Sequence, residues 1–268
     1  MTDAPYLSVV IPCYNEAENL RRGVLSEVNS FLRKQDFSWE VIISDDGSTD
    51  DSLKIIRKFQ KSKSKLQTNS NYQNIRVLEN KHGGKPYAVW QGIKGARGKI
   101  ILFTDMDQST PLNQVKKLLP YFDQDYDVVI GSRGIKRKGF PLYRQLGSFI
   151  FFNFRRLFIL SNIKDTQCGF KAFKVNVARE LFPKMSVLKN WQEATGWKVT
   201  AFDVELLYLA QKADYKIKEV LVNWHDEDIA KGKNRNFIKE SQQMLAQIIN
   251  VKKNDWQGKY EENPMKEN

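Results

Sequence analysis

The stretch KIILFTDMDQSTPL (residues 99–112) joins a short apolar run to two carboxylates, Asp105 and Asp107. Successive side chains of an extended strand alternate faces, so residues two apart point the same way and can share one ligand. Two like charges that close repel each other unless a cation or hydrogen-bond donors lie between them, and hard divalent metal ions prefer oxygen ligands. The pair therefore indicates a metal site, with a polar turn after a strand as the alternative.

Strand and helix patterns alternate along the first half of the chain. Short β-branched runs, each followed by turn residues, predict five strands: LSVVIP (7–12), WEVIISDD (39–46), NIRVLEN (74–80), KIILFTD (99–105) and YDVVIGS (126–132). Helix-like stretches between them cover 16–33, 50–60, 84–96 and 112–122. This alternation predicts an α/β fold with a Rossmann-like, mostly parallel twisted sheet flanked by helices. Ligands of such sheets bind outside the carboxyl ends of the strands, where the two aspartates lie.

Composition narrows the class of protein. The chain has 268 residues, of which 41% are hydrophobic, and its 43 Lys and Arg against 31 Asp and Glu give a formal charge of +12. That charge predicts attraction to nucleic acid, an anionic membrane surface or phosphorylated substrates, without choosing among them. The two cysteines, Cys13 and Cys168, have no metal-ligand spacing, so the sequence indicates neither a zinc site nor a disulfide framework. A reducing, cytoplasmic setting is expected.

A second acidic cluster, SDDGSTDDS (44–52), follows the predicted second strand, and IPCYNE (11–16) follows the first. An Asp-Gly turn explains the acidic cluster taken alone. Taken with Asp105 and Asp107, it brings aromatic and acidic groups from three strands to one edge. No G-x-G-x-x-G follows the first strand and no P-loop motif occurs, so phosphates would have to be held differently, with a carboxylate-bound metal as the candidate.

Membrane association is expected to be peripheral. The amino-terminal sequence lacks the basic start and apolar core of a signal peptide, and no stretch approaches the ~20 apolar residues that span a bilayer. In RQLGSFIFFNFRRLFIL (144–160), a helical projection separates an apolar face from one that carries arginines. This segment is interpreted as an interfacial helix at the cytoplasmic face of a membrane, with an ordinary core helix as the alternative.

Seven motifs together resemble a known family. VVIPCYNE, ISDDGSTDDS, GKPYAVWQGI, FTDMDQS, VIGSR, KDTQCGFKAF and FDVELLYLA occur in the order and spacing of family 2 glycosyltransferases with the GT-A fold, from about residue 7 to 224. DTQCGFK with FDVELL is most similar to the dolichyl-phosphate glucosyltransferase and dolichol-phosphate mannosyltransferase branch. The resemblance implies one GT-A domain over 7–240, after an extension at 1–6 and before a disordered tail at 254–268.

The resemblance also implies a donor site. Mg²⁺ or Mn²⁺ would bind Asp105 and Asp107 and stabilise the departing nucleoside diphosphate, with Asp107 counted as catalytic. The nucleotide-sugar pocket would be lined by Pro12, Tyr14, Glu16, Ser44, Asp46, Lys85 and Asp105. Asp46 would accept a hydrogen bond from uracil or ribose. Gln108 departs from the family's D-x-D-x-Q pattern, in which the amide lies one residue later, so it is not expected to be a ligand.

On the acceptor side, Arg133 and Arg144 would bind a lipid phosphate, with Lys233 closing over the diphosphate. Asp165 lies where relatives keep a catalytic base. A phosphate monoester is already largely ionised at pH 7 and needs no base, so Asp165 is expected to orient groups, and Arg133 to carry the larger catalytic share. Asp203 and Glu205, two apart on a predicted helix, are interpreted as structural or acceptor-positioning groups rather than metal ligands.

The motifs, the resemblance and the charge together give one expected function and two alternatives. The chain is expected to be an inverting hexosyltransferase that moves glucose from UDP-glucose to a polyisoprenyl (dolichyl-type) phosphate. A family 2 transferase that acts on a saccharide hydroxyl is the first alternative. A basic nucleic-acid-binding module is the second, suggested by charge alone and disfavoured because the strand-end acids would repel phosphates. No nucleic-acid partner is therefore expected.

Overall fold

The computed structural model describes residues 4–64, 74–134, 160, 163–189, 202–225, 227, 229 and 237–261. Seven strands form one sheet: β1 Leu7–Cys13, β2 Trp39–Asp45, β3 Ile75–Glu79, β4 Ile100–Phe103, β5 Val128–Ser132, β6 Lys171–Lys174 and β7 Ile217–Leu221. Helices are α1 Ala17–Arg21, α2 Val24–Leu32, α3 Ser52–Ser64, α4 Lys85–Gly95, α5 Val115–Leu118, α6 Val175–Leu181, α7 Ser186–Lys189, α8 Phe202–Lys212 and α9 Phe237–Trp256. Three short 3-10 turns cover Leu112–Gln114, Leu119–Tyr121 and Phe182–Lys184.

The strand order is β3-β2-β1-β4-β6-β5-β7. Strands β3, β2, β1 and β4 pair in parallel, as do β5 and β7. Strand β6 runs antiparallel to both β4 and β5. The predicted mostly parallel α/β sheet is therefore confirmed, together with its five predicted strands. Because β1 lies between β2 and β4, the carboxyl ends of these three strands meet at one edge.

Both faces of the sheet are covered. Along β1, Val10 packs into a core with residues of α4, α6 and α8, whereas Val9 and Ile11 pack into a second core with α2. All three side chains are fully buried. Burial on both faces explains why β1 is an uninterrupted apolar run rather than an alternating one. The two cores fix the sheet between helical layers and leave the strand ends to carry polar groups.

Two predicted helices differ from the observed ones. The stretch 16–33 forms α1 and α2, separated at Gly23, which has φ of 97°. This left-handed backbone conformation suits glycine and interrupts a helix. The stretch 112–122 is a 3-10 turn, the short helix α5 and a second 3-10 turn that contains Pro120. Proline has no backbone N–H to donate, so a regular helix does not continue through it.

The carboxyl-terminal helix belongs to the fold. Helix α9 continues to Trp256, and Tyr260 is 6% exposed in the turn that follows. The Tyr260 hydroxyl donates a 2.7 Å hydrogen bond to Glu205 of α8. Residues 254–256 therefore belong to α9, and Asp255 and Tyr260 contact α8, at the start of the segment 254–268 that was expected to be disordered.

Some predictions fall outside the described residues. They concern Arg144, Lys233 and, apart from Leu160, the amphipathic segment 144–160. Among the helices that are described, none is long and apolar enough to cross a membrane.

Candidate active site

The site begins where three strands end side by side. The Asp46 backbone N–H donates to the Cys13 carbonyl at 2.8 Å, and the Thr104 N–H donates to Val10 at 3.0 Å. These bonds continue the pairing of β1 with β2 and β4 beyond the strands themselves. They bring the segments after β1, β2 and β4 to one edge, as the alternation of strands and helices predicted.

Lys85 and Asp105 form the central ion pair of this edge. The Lys85 Nζ lies 2.5 Å from Asp105 Oδ1, and both side chains are about one third exposed, at 34% and 38%. Lys85 is the first residue of α4. Burial lowers the pKa of its ammonium, but the carboxylates of Asp105, Asp203 and Asp107 outweigh burial and hold that pKa above its usual value. The lysine is therefore a fixed positive charge within a group of acids.

Gly169 lets the chain approach the other side of the Asp105 carboxylate. A Cβ placed on Gly169 would lie 2.0 Å from Asp105 Oδ2, far inside van der Waals contact. Only a residue without a side chain fits there. The glycine of the CGF motif is therefore required by the position of Asp105.

The turn that carries Asp107 is held by its neighbours. Asp107 Oδ1 accepts a 2.8 Å hydrogen bond from the Ser109 N–H, and its backbone carbonyl accepts one from Arg22. Gln108, at φ of 53°, donates its side-chain amide to the Asp105 carbonyl at 2.8 Å. Gln108 therefore stabilises the turn.

The chemistry of this edge fits a metal bound partly by its substrate. Within the described ranges, no group of three or more His, Cys, Asp or Glu side chains is placed to hold a metal ion. Asp105 and Asp107 supply two carboxylates. Mg²⁺ in particular is often held by one or two carboxylates, with substrate phosphates and water completing its coordination. Asp105 and Asp107 would hold such a metal.

Asp46 accepts three hydrogen bonds from its own chain. Its carboxylate accepts from the Gly83 N–H, the Gly84 N–H and the His82 Nδ1, each at 2.8 Å. The His82 ring stacks on Tyr14 with centroids 4.1 Å apart and planes within 7°. Burial raises the pKa of Asp46, although these donors and the His82 ring act in the opposite direction. Asp46 thus fixes the turn that leads into α4 and Lys85.

The adjacent Asp45 differs from Asp46. Its Oδ2 accepts from the Gly47 and Ser48 N–H groups at 3.1 and 3.0 Å. Its Oδ1 is buried and has no hydrogen-bond partner among the described residues. A buried carboxylate oxygen without a donor is costly. The resemblance to the family assigned Asp46 to the nucleoside and gave Asp45 no role.

The remaining residues predicted for the pocket have mixed surroundings. Ser44 accepts from the Asn80 side chain at 3.0 Å, and Glu16 accepts from Asn19 at 2.6 Å. Pro12 lies within β1 near its carboxyl end. Pro12, Tyr14, Glu16, Ser44 and Asp46 all lie at or just after the carboxyl ends of β1 and β2.

Arg133 and Asp165 form a second, more buried ion pair. The Arg133 Nε and Nη2 donate to the two Asp165 oxygens at 2.8 Å each, and the Arg133 backbone N–H donates to Oδ2 at 2.9 Å. The arginine also lies over the Trp224 ring, with its guanidinium carbon 5.7 Å from the centroid. Burial lowers the Arg133 pKa, but the Asp165 contacts outweigh this and raise it.

Lys171 and Asp203 form a third pair, which sequence reasoning missed. The Lys171 side chain is fully buried, with Nζ 2.5 Å from Asp203 Oδ1. Asp203 and Glu205 contact different partners, as predicted for residues two apart on a helix. Asp203 also acts electrostatically on both Lys85 and Arg133. The negative charge of Asp203 therefore acts on the cations of the two other ion pairs. In the sequence, Asp203 was indicated only by its place in the FDVELL motif.

Comparison with known families identifies the lineage of this fold. The model for "Glycosyl transferase family 2" matches residues 8–182. The chain belongs to glycosyl transferase family 2. A dolichyl-phosphate beta-glucosyltransferase of Dictyostelium discoideum is 34% identical over 266 residues, which cover 93% of this chain and 75% of the relative. A dolichyl-phosphate beta-glucosyltransferase of Saccharomyces cerevisiae is 34% identical over 247 residues, covering 84% and 69%.

Solved structures confirm the GT-A fold. A mannosyltransferase from Pyrobaculum calidifontis, in complex with GDP-Man and Mn²⁺, superposes with a TM-score of 0.60 at 18% identity, covering 95% of this chain and 66% of that one. Glucosyl-3-phosphoglycerate synthase from Mycobacterium tuberculosis, in complex with Mn²⁺, UDP and glucosyl-3-phosphoglycerate, gives 0.58 at 17% identity, covering 92% and 80%. At these identities the likeness concerns the fold.

Proposed function

We propose that this glycosyltransferase moves glucose from UDP-glucose to a polyisoprenyl phosphate of the dolichyl type. The observation that supports this proposal most directly is that Asp105, Lys85 and the turn held by Asp46 lie at one edge of the sheet. The names of relatives such as the Dictyostelium protein support the sugar and the acceptor. A β-linked product from an α-linked donor requires inversion at the anomeric carbon. In that step, the bond from this carbon to UDP breaks and a bond to a lipid phosphate oxygen forms.

Asp105 and Asp107 would hold the divalent cation beside the donor diphosphate. A bound Mg²⁺ or Mn²⁺ supplies positive charge that stabilises the leaving nucleoside diphosphate. Mn²⁺ in the two solved GT-A structures supports a metal of this class. Lys85 adds a fixed cation at the first turn of α4, where backbone N–H groups also favour an anion. This chain thus offers positive charge where negative charge leaves.

For the nucleoside, Asp45 is the better acceptor than Asp46. The three donors on Asp46 belong to the chain itself. The buried Asp45 Oδ1 has no described partner, so a donor N–H or O–H of the nucleotide would satisfy it once nucleotide binding opens the turn around it. Asp46 would then act by shaping the turn that carries His82, whose ring stacks on Tyr14.

For the acceptor, Arg133 supplies the cation and Asp165 positions it. Asp165 engages Nε and Nη2 of Arg133, which leaves Nη1 as the guanidinium nitrogen for a lipid phosphate. A carboxylate bound in this way is poorly placed to take a proton from the acceptor. A phosphate monoester, with its second pKa near ~6, is already largely ionised and needs no such base. The ion pair therefore favours a phosphate over a hydroxyl acceptor.

The acceptor is a membrane lipid, so the protein has to meet a membrane surface. The net charge of +12 supports attraction to anionic headgroups. We place this contact at the cytoplasmic face, as a peripheral association. Co-sedimentation with vesicles that contain an anionic lipid, compared with neutral vesicles, measures it directly.

A transfer assay tests the proposed function. Radiolabelled UDP-glucose, GDP-mannose and UDP-N-acetylglucosamine are each incubated with the protein and Mn²⁺, with and without polyisoprenyl phosphate. Label should enter the lipid phase from UDP-glucose and only with the lipid present. Transfer that requires a saccharide instead of the lipid phosphate would overturn the acceptor assignment.

A further inference from the structure

Both oxygens of the Asp105 carboxylate face groups of this chain. Oδ1 lies 2.5 Å from the Lys85 Nζ. Oδ2 lies against Gly169, where a Cβ would come within 2.0 Å. A divalent cation that binds Asp105 through either oxygen therefore lies beside the Lys85 ammonium, which repels it, or displaces that ammonium from Oδ1. The lysine and the metal thus compete for one carboxylate.

Lys85 can exchange its contact with Asp105 for a contact with another anion. The ammonium is the end of a flexible four-carbon stem, and its side chain is 34% exposed. Ion pairs exposed to this extent contribute only about 1 kcal/mol or less, because water screens them. Lys85 can thus leave Asp105 at small cost when another anion is available.

We propose that Lys85 competes with the metal for Asp105 and transfers its contact to the donor diphosphate when the nucleotide binds. This inference rests on the proposed nucleotide and metal site. Without nucleotide, the metal meets a carboxylate already paired with a cation. The diphosphate supplies both further oxygen ligands for the metal and a new partner for Lys85. Metal and nucleotide therefore bind cooperatively.

Thermodynamic linkage makes the proposal quantitative. If UDP raises the affinity for Mn²⁺ by some factor, Mn²⁺ raises the affinity for UDP by the same factor. Lys85 contributes to that factor because its contact with Asp105 opposes Mn²⁺ alone but not Mn²⁺ that binds together with UDP. Removing its charge should therefore tighten Mn²⁺ binding without UDP and reduce the enhancement that UDP causes.

Mn²⁺ binding, measured by calorimetry with and without UDP, tests this in the wild type and in Lys85→Met. We expect Lys85→Met to bind Mn²⁺ alone about fivefold more tightly, from the upper range for such ion pairs. The enhancement by UDP should fall by up to the same factor. Lys94→Met is the matched control, since Lys94 lies on the same helix over the Trp90 ring, and it should bind as the wild type does.

A second measurement uses the wild type, so its result does not depend on whether a variant folds. The rate at which acetic anhydride labels Lys85 is followed by mass spectrometry, and Mn²⁺ alone should increase it by releasing the amine from Asp105. A labelling rate unchanged by saturating Mn²⁺, or equal Mn²⁺ affinities of Lys85→Met and the wild type, would overturn the competition. Mn²⁺ binding that Asp107→Ala leaves intact would instead show that the proposed metal site itself is wrong.

Discussion

Arg133 and Asp165 are joined by two parallel side-chain hydrogen bonds of 2.8 Å, and the Arg133 backbone N–H adds a third at 2.9 Å. Their side chains are only 13% and 8% exposed. Glu219 of β7 holds the Asp165 backbone N–H at 2.8 Å, which fixes the carboxylate from behind. This geometry supports the proposal that the arginine binds the acceptor and that the aspartate positions the arginine.

The first prediction compares the two members of this pair. Asp165→Asn should retain measurable transfer to polyisoprenyl phosphate, whereas Arg133→Ala should lose more, because the lipid phosphate needs the cation and not a base. Both variants should be less stable, by about 3 kcal/mol, since each leaves a buried partner uncompensated. The comparison uses kcat/KM below both melting temperatures. If Asp165→Asn is as inactive as Asp107→Ala, with donor binding intact, a base is needed and a hydroxyl acceptor is favoured.

A second prediction concerns the turn fixed by Asp46. Asp46→Ala removes the acceptor of three 2.8 Å hydrogen bonds from residues 82–84. Losing them should destabilise the fold by ~2 kcal/mol and weaken UDP binding, since the turn positions Lys85. Asp51→Asn is the control, because Asp51 makes a solvent-exposed ion pair with Arg21. Thermal unfolding and calorimetry measure both effects, and equal behaviour of the two variants would count against the role of the turn.

The third prediction uses the close approach of Gly169 to Asp105. The Cβ of Gly169→Ala would lie 2.0 Å from Asp105 Oδ2, so the carboxylate has to move. Mn²⁺-dependent UDP binding should fall at least tenfold, about 1.4 kcal/mol. Gly95→Ala places its Cβ 3.2 Å from a flexible Leu78 methyl group and serves as the control. Wild-type UDP affinity in Gly169→Ala would show that the position of Asp105 is not critical.

A fourth prediction concerns pH and the fold. Glu40 is 1% exposed, and burial raises its pKa, but hydrogen bonds from Ser8, Arg97 and Arg76 outweigh burial and lower it overall. A carboxyl group with a lowered folded-state pKa stabilises the fold above its unfolded pKa of about 4.3, and this contribution is lost as the pH falls through the folded value. Glu40→Gln should therefore be less stable at pH 7.

Urea unfolding between pH 7 and pH 3 measures this dependence. The difference in unfolding free energy between the wild type and Glu40→Gln should shrink at the acid end. A difference that stays constant over this range would show that the Glu40 charge does not contribute.

The parts of the fold that follow from local patterns were predictable from sequence. Apolar runs that end in polar turns located five strands, and the spacing of Asp105 and Asp107 indicated the candidate site. Strand β6 was not predictable in the same way, because KAFK has a lysine at each end and the buried Lys171 depends on distant or non-repeating partners, Asp203 and the Cys168 carbonyl. Pairs such as Arg133 with Asp165 depend on long-range packing that motif order alone does not specify.

The different surroundings of the neighbouring residues Asp45 and Asp46 could not be predicted from the sequence either. Asp45 and Asp46 occupy one motif, yet three donors from residues 82–84 converge on Asp46 and leave an oxygen of Asp45 without a described partner. Which aspartate receives those donors depends on how the loop before α4 folds over β2. The same loop sets the His82 stack on Tyr14, which no pattern in the sequence indicated.

The most direct test of the central claim compares lipid-phase glucose transfer by the wild type and by Asp107→Ala. Both proteins are given radiolabelled UDP-glucose, polyisoprenyl phosphate and Mn²⁺, and circular dichroism confirms that both are folded. We predict that the wild type transfers label only while the divalent metal is present, and that Asp107→Ala transfers none because its metal site has lost a carboxylate. Full transfer by Asp107→Ala, or undiminished wild-type transfer in excess chelator, would contradict the account.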